Sequence, residues 1–168
     1  YLSLLLKKIF KKDIITIHIQ NPKINSNRFD YVISPRHDYL TGPNVINSFG
    51  AIHHFTKKNI ENCNDDIGMG YSNNLVSIII GGQNRHYEFS KKIIIDLSEK
   101  IIKLKNKFNN YNFLVISSRR TNEDALDMLK NKLDGIVHVW NKKTKNPYLF
   151  ALKNSKYFIV TSDSTSMI

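Results

Sequence analysis

The sequence is short of cysteine, of acidic residues and of long apolar runs. Cys63 is the single cysteine, so no intramolecular disulfide can form and nothing points to an oxidising compartment. It lies among Asn and Asp residues without a companion ligand cluster and reads as a bystander thiol. The apolar stretch at residues 2–6 is too short to span a membrane and precedes its lysines, which excludes a secretory signal. Asp and Glu number 14 against 25 Lys and Arg, a formal net charge of +11. That balance invites nucleic acid, but zinc-finger spacing and RNA-binding aromatic signatures are missing. Many lysines fall within one predicted helix (Lys91, Lys92, Lys100, Lys103, Lys105, Lys107), and Ile, Lys and Asn are abundant throughout. A solvated basic surface is therefore preferred, no nucleic-acid partner is expected, and contact with anionic lipid stays open.

What is present is an ordinary apolar fraction, 41% of 168 residues, enough to build a core. The chain opens on Tyr1 and stops at Ile168 in mid-pattern, so it reads as part of something longer. Residues 1–12 suggest the tail of a helix, 14–19 a strand, 29–34 a second strand ended by Pro35, and 45–52 a weaker third. Residues 57–73 are polar and Asn-rich, with Gly68 and Gly70, and are expected to be a linker. The spacing then predicts strands at 75–80, 113–116, 136–140 and 157–160, separated by helices at 88–108, 122–133 and about 147–154. In the first of these helices Phe89, Ile93, Leu97, Ile101, Leu104 and Phe108 form the expected buried stripe. Thr121-x-x-Asp124 is a candidate cap for the second, and Asn146-Pro147 for the third. Alternation of strand and helix implies a parallel sheet with crossover helices, the α/β class.

Three of the strands run into polar loops, which in a parallel sheet gather where open α/β proteins bind ligands. Gly81-Gly82-Gln83-Asn84 allows backbone N–H groups to come close to a ligand. It is neither a Walker loop nor the dinucleotide fingerprint, and a plain tight turn explains a glycine pair equally well. Ser117-Ser118-Arg119-Arg120-Thr121 offers guanidinium forks just before a helix N-terminus. One arginine is expected to be structural, paired with Glu123 or Asp124. Asp163-Ser164-Thr165-Ser166 supplies hydroxyls for phosphate or ribose, or simply an N-cap. Earlier in the chain, Ser34-Pro35-Arg36-His37-Asp38 is the densest polar cluster, in which Asp38 could orient His37 as a general base. His53-His54 lacks a third ligand at metal spacing, so no metal site is assigned. Trp140 could stack on a base, although packing is the commoner role of a lone Trp.

In order, the segments at residues 29–38, 42–46, 50–53, 80–84, 117–121, 146–148 and 161–167 resemble the mitochondrial-fission family named for elongated mitochondria. The resemblance covers nearly the whole chain. It implies an architecture like the two-domain GT-B-type nucleotide-sugar glycosyltransferases: two Rossmann-like halves, both truncated here, facing across a cleft. Residues 1–56 would end the first half, 57–73 would link, and 74–168 would open the donor-binding half. Gly81, Gly82, Gln83, Asn84, Ser118, Arg119, Arg120, Thr121, Asp163, Ser164, Thr165 and Ser166 would then hold the donor's diphosphate and ribose. Trp140 would contact the base, and His37 or Asp38 would deprotonate the acceptor hydroxyl. The implied partners are a nucleotide-sugar donor and a lipid-linked or surface-glycan acceptor, with no cofactor, no metal and a cytoplasmic location at or near the inner membrane. The segment alone is expected to be inactive. The alternative is a non-catalytic adaptor that recruits a dynamin-related or membrane-associated partner, as plant members of the family imply.

Overall fold

The computed structural model describes residues 1–65, 67, 74–85 and 87–163, except the Lys12 side chain. The chain divides into two compact units, Tyr1–His54 and Phe55–Ile168.

In the first unit, α1 (Leu2–Phe10) is followed by three strands, β1 (Ile17–Ile19), β2 (Tyr31–Pro35) and β3 (Val45–Ser48). They form a parallel sheet in the order β1-β2-β3. The first strand begins later than residue 14 because Thr16 is used otherwise: its N–H and hydroxyl both donate to the Asp30 carboxylate, at 2.8 and 2.7 Å. Lys7 pairs with the same carboxylate at 2.7 Å and ties α1 to the sheet. That ammonium, then the Thr16 N–H and hydroxyl, hold the Asp30 carboxyl well below the usual carboxylate range. His18 stacks on Phe29, and the Tyr1 ring meets both edge-on. Ile17, Ile19, Tyr31 and Ile46 are exposed, and the register Ile17↔Tyr31, Ile19↔Ile33, Ile33↔Ile46 puts them on one face.

In the second unit, α2 (Lys57–Glu61) precedes β4 (Leu75–Ile80), α3 (Lys91–Lys107), β5 (Asn112–Ser117), α4 (Glu123–Leu133), β6 (His138–Val139), α5 (Tyr148–Asn154) and β7 (Ser155–Val160). The sheet is again parallel, in the order β6-β5-β4-β7. Strand alternation sends Val76, Ile78, Ile80, Phe113 and Val115 to one face, where Ile94, Ile101, Ala125, Leu129 and Leu133 of α3 and α4 cover them. Leu75, Leu114 and Ile116 face the other way, against Phe150 and Ala151 of α5 and the buried Cys63. Helices thus cover both faces, as a Rossmann-like α/β fold requires. The chain moves from β4 outward to β5 and β6, then returns past β4 to β7. The direction of winding therefore reverses between β4 and β7, which is a topological switch point.

Three local expectations change. The buried side of α3 is rotated by about one residue: Ile94, Ser98 and Ile101 are buried, while Ile93 is 42% exposed and Phe108 40%. The small Ser98, whose hydroxyl returns to the Ile94 carbonyl at 2.7 Å, lets the helix lie close to the sheet. The N-cap of α4 is Asn122, which accepts from the Ala125 N–H at 2.7 Å. Thr121 is buried and bonded elsewhere. The described part of residues 57–73 is integral to the second unit rather than a tether. Thr56 and Asn59 form a capping box for α2, Phe55 packs on Tyr148, and Lys145 and Lys153 bind Asp65 and the Cys63 carbonyl. Gly68 and Gly70 lie outside the described residues.

Candidate functional site

The loops after β4, β5 and β7 meet at the switch point. The Gly81 N–H donates to the Thr161 hydroxyl at 2.8 Å, and the Gly82 N–H to Asp163 Oδ2 at 3.2 Å. Arg120 donates to the same oxygen at 2.7 Å, and the Thr161 hydroxyl to Asp163 Oδ1 at 2.5 Å. The Asn84 amide reaches the Asp163 carbonyl. From the middle loop, the Ser118 N–H donates to the Ile80 carbonyl at 2.8 Å, and the buried Thr121 hydroxyl donates to the Gly81 carbonyl. Lys142 closes the rim by donating to the Thr121 carbonyl at 2.7 Å.

Both glycines are demanded by this convergence. A Cβ on Gly81 would lie 2.0 Å from Asp163 Oδ2, and one on Gly82 would lie 2.2 Å from the Arg120 carbonyl oxygen. Neighbouring loops, in other words, come as close to the glycine backbone as a ligand was expected to. Asp163 is the hub. Its carboxylate, 7% exposed, takes the position between a backbone N–H, a hydroxyl and a guanidinium where a ligand's phosphate would find the same donors.

One arginine is structural, as expected, but its partner differs. Arg120 pairs with Asp163 rather than with Glu123 or Asp124, because the loop turns it inward across the switch point. Arg119 is exposed and makes no ion pair or hydrogen bond among the described residues, and exposed Gln83 makes none either. The Ser117 hydroxyl is buried at the carboxyl end of β5 and lacks a partner among the described residues, an orphan that a ligand or a water would satisfy. Among the described residues the rim therefore keeps a guanidinium fork without a partner, at exposed Arg119, and an unpaired hydroxyl, at buried Ser117. Ser164, Thr165 and Ser166 lie outside the described residues. Trp140 is half-buried against the α5-side core, its indole N–H donating to the Thr144 hydroxyl at 3.2 Å.

A cavity of about 540 Å3 lies elsewhere, at the amino ends of β5 and β6, lined by Lys105, Lys130, Asp134 and His138 among others. Ligands of open α/β sheets bind at the opposite ends of the strands, so the rim remains the candidate site.

In the first unit, residues 36–38 form a single turn after β2. Asp38 accepts from the buried Ser34 hydroxyl at 3.0 Å, and no hydrogen bond joins it to His37 among the described residues. Arg36 lies over the Phe49 ring, 5.6 Å from its centroid. Among the described residues no cluster of three His, Cys, Asp or Glu could hold a metal ion.

Sequence reasoning placed Thr161 in the third loop without giving it a role, missed Lys142 as a rim residue, and missed Ser34 as the partner of Asp38. A hydroxyl or ammonium next to a strand-end loop was the available signal, but the choice of partner is set across the sheet.

Comparison with known proteins adds identity to this geometry. The family described as Mitochondrial fission ELM1 has a sequence model that matches residues 1–168. An uncharacterised protein of Rickettsia prowazekii (strain Madrid E) is 29% identical over 203 residues, covering 99% of this chain and 57% of that protein. The mitochondrial fission protein ELM1 of Arabidopsis thaliana is 23% identical over 190 residues, covering 97% of this chain and 44% of that protein. The chain thus spans about half the length of the curated relatives it matches. No solved structure matches it.

Proposed function

The chain belongs to the mitochondrial fission ELM1 family, and from that premise we propose that its second unit binds the nucleoside diphosphate of a sugar donor in a glycosyltransferase-like protein. The observation that carries this reading is the meeting of three polar loops at the carboxyl ends of β4, β5 and β7. A switch point in an open parallel sheet is where such folds take nucleotides. The Arg119 fork, without a partner among the described residues, suits a diphosphate, and the orphan Ser117 hydroxyl at the end of the same strand suits a further polar contact. On this reading His37 or Asp38 serves the acceptor hydroxyl, with Ser34 holding the Asp38 carboxylate in place.

Calorimetric titration of uridine, guanosine and adenosine diphosphates and their sugar derivatives tests it. At least one is expected to bind, and Arg119→Ala to weaken that binding by about tenfold, the worth of one charge-assisted contact of ~1.5 kcal/mol. Failure of all of them to bind sinks the reading.

One observation favours a second reading, a non-catalytic adaptor. Asp163 already satisfies Gly82, Thr161 and Arg120, so most of the rim's donors are engaged within the protein itself. A scaffold whose loops are stapled together in this way presents a fixed surface to a partner. It predicts partner capture that survives Arg119→Ala and Gln83→Ala, and no response to any nucleotide.

A further inference from the structure

Helix α1 is mounted with its apolar side outward. Leu2, Leu5, Leu6, Ile9 and Phe10 follow the i, i+3, i+4, i+7, i+8 pattern of a buried stripe. They are nevertheless 71, 54, 38, 60 and 49% exposed, and no residue of the helix is buried. The side turned to the protein carries Ser3, Leu4 and Lys7, which are half-buried. It is held by the Lys7–Asp30 ion pair at 2.7 Å and by the bond from the Tyr1 hydroxyl to the Pro22 carbonyl. A helix that packs on a core does the reverse, hiding its leucines and showing its lysines to water.

We propose that α1 is an interfacial docking helix for an anionic lipid bilayer. Charge decides the occupant. Residues 1–12 contain Lys7, Lys8, Lys11 and Lys12 and no acidic residue. Lys7 is committed to Asp30, while Lys8 and Lys11 are exposed beside the stripe and make no ion pair among the described residues. A row of leucine, isoleucine and phenylalanine with ammonium groups along its margin matches the boundary between acyl chains and phosphate headgroups. The aliphatic side chains enter the hydrocarbon while the lysines stay at headgroup level, each attracted to negative lipid. The helix is too short to cross the bilayer and lies along its surface. This proposal is independent of nucleotide binding by the second unit.

The test is flotation of the full-length protein with phosphatidylcholine vesicles, with and without phosphatidylserine. Binding is expected with phosphatidylserine present, weakening as salt is raised. Leu5→Asp with Ile9→Asp is expected to lower partitioning at least about tenfold, without loss of fold because both sites are solvent-exposed. Lys8→Glu with Lys11→Glu should remove the preference for phosphatidylserine, roughly fivefold for each lysine. Absence of vesicle binding overturns the proposal, as does binding that the Leu5 and Ile9 changes leave intact. Self-association seen by sedimentation velocity, abolished by those changes and unaccompanied by vesicle binding, overturns it in favour of a second copy.

Discussion

Replacing Gly82 with alanine places a Cβ 2.2 Å from the Arg120 carbonyl oxygen, 2.4 Å from its carbon and 2.7 Å from the Thr121 nitrogen. A carbon and a carbonyl oxygen ordinarily approach no closer than about 3.3 Å, so the loop after β5 must retreat by roughly 1 Å. It is not free to do so. Ser118 is bonded to the Ile80 carbonyl, Thr121 to the Gly81 carbonyl, and Arg120 to Asp163. Losing two of these bonds costs about 1 kcal/mol each, and forced overpacking adds about 1–3 kcal/mol. The unfolded chain loses some freedom on gaining a methyl group, which returns less than about 1 kcal/mol. The net expectation is a loss of about 3 kcal/mol, or roughly 10 °C in Tm for a unit of this size. Trp140 is the chain's single tryptophan and lies in the second unit, so urea unfolding followed by its fluorescence reads that unit alone. Gly135→Ala is the control: nothing lies within 4 Å of its Cβ, but its φ of +67° implies a strain of about 1–2 kcal/mol. A Gly82→Ala variant within about 0.5 kcal/mol of the parent, the scatter of neutral surface changes, would refute the steric argument. So would a larger loss at Gly135.

Gly81→Ala is expected to be strongly destabilising in the parent but much less so when combined with Asp163→Ala, since the atoms it meets are the Asp163 carboxylate. A double-mutant cycle by urea unfolding should give a coupling of about 1–3 kcal/mol, and additivity would count against the contact. The two arginines should separate: Arg120→Ala lowers stability by about 1–2 kcal/mol, between surface and buried pairs because Arg120 is 37% exposed. Arg119→Ala leaves thermal stability unchanged and weakens only ligand binding; equal effects of the two on the melting curve would be the wrong result. Asp30 has a folded pKa below its unfolded value of about 3.9. Its stabilising contribution is therefore complete above that unfolded value and vanishes as pH falls through the folded one. In acid titrations followed by circular dichroism, Asp30→Asn should be less stable than the parent at neutral pH, with the gap closing in strong acid. A gap independent of pH would show that the ion pair to Lys7 is not its source.

Periodicity made much of the second unit legible. The apolar run at 75–80, broken only by Ser77, is β4 with those bounds, and the alternation of strand and helix gives a parallel sheet in each unit. Shared positions such as Leu97, Ile101 and Leu104 do face the core from α3, but Ile94 replaces Ile93. The 3.6-residue repeat tolerates a one-residue rotation, and the small Ser98 selects which rotation packs closest. The polar rim was legible as residue types at strand ends, its internal bonding was not. Arg120 has two carboxylates within four residues, yet it pairs with Asp163, 43 positions away.

The sequence by itself determined the α/β class, the family, and which strand ends carry polar loops, because periodicity and turn chemistry act between near neighbours. Tertiary structure alone decided that β7 lies beside β4, and hence that Asp163 occupies the hub between Gly82 and Arg120. It also decided that the stripe of α1 looks outward: an amphipathic pattern specifies that one face is apolar, while the anchoring of Lys7 by Asp30 sets which face meets the protein.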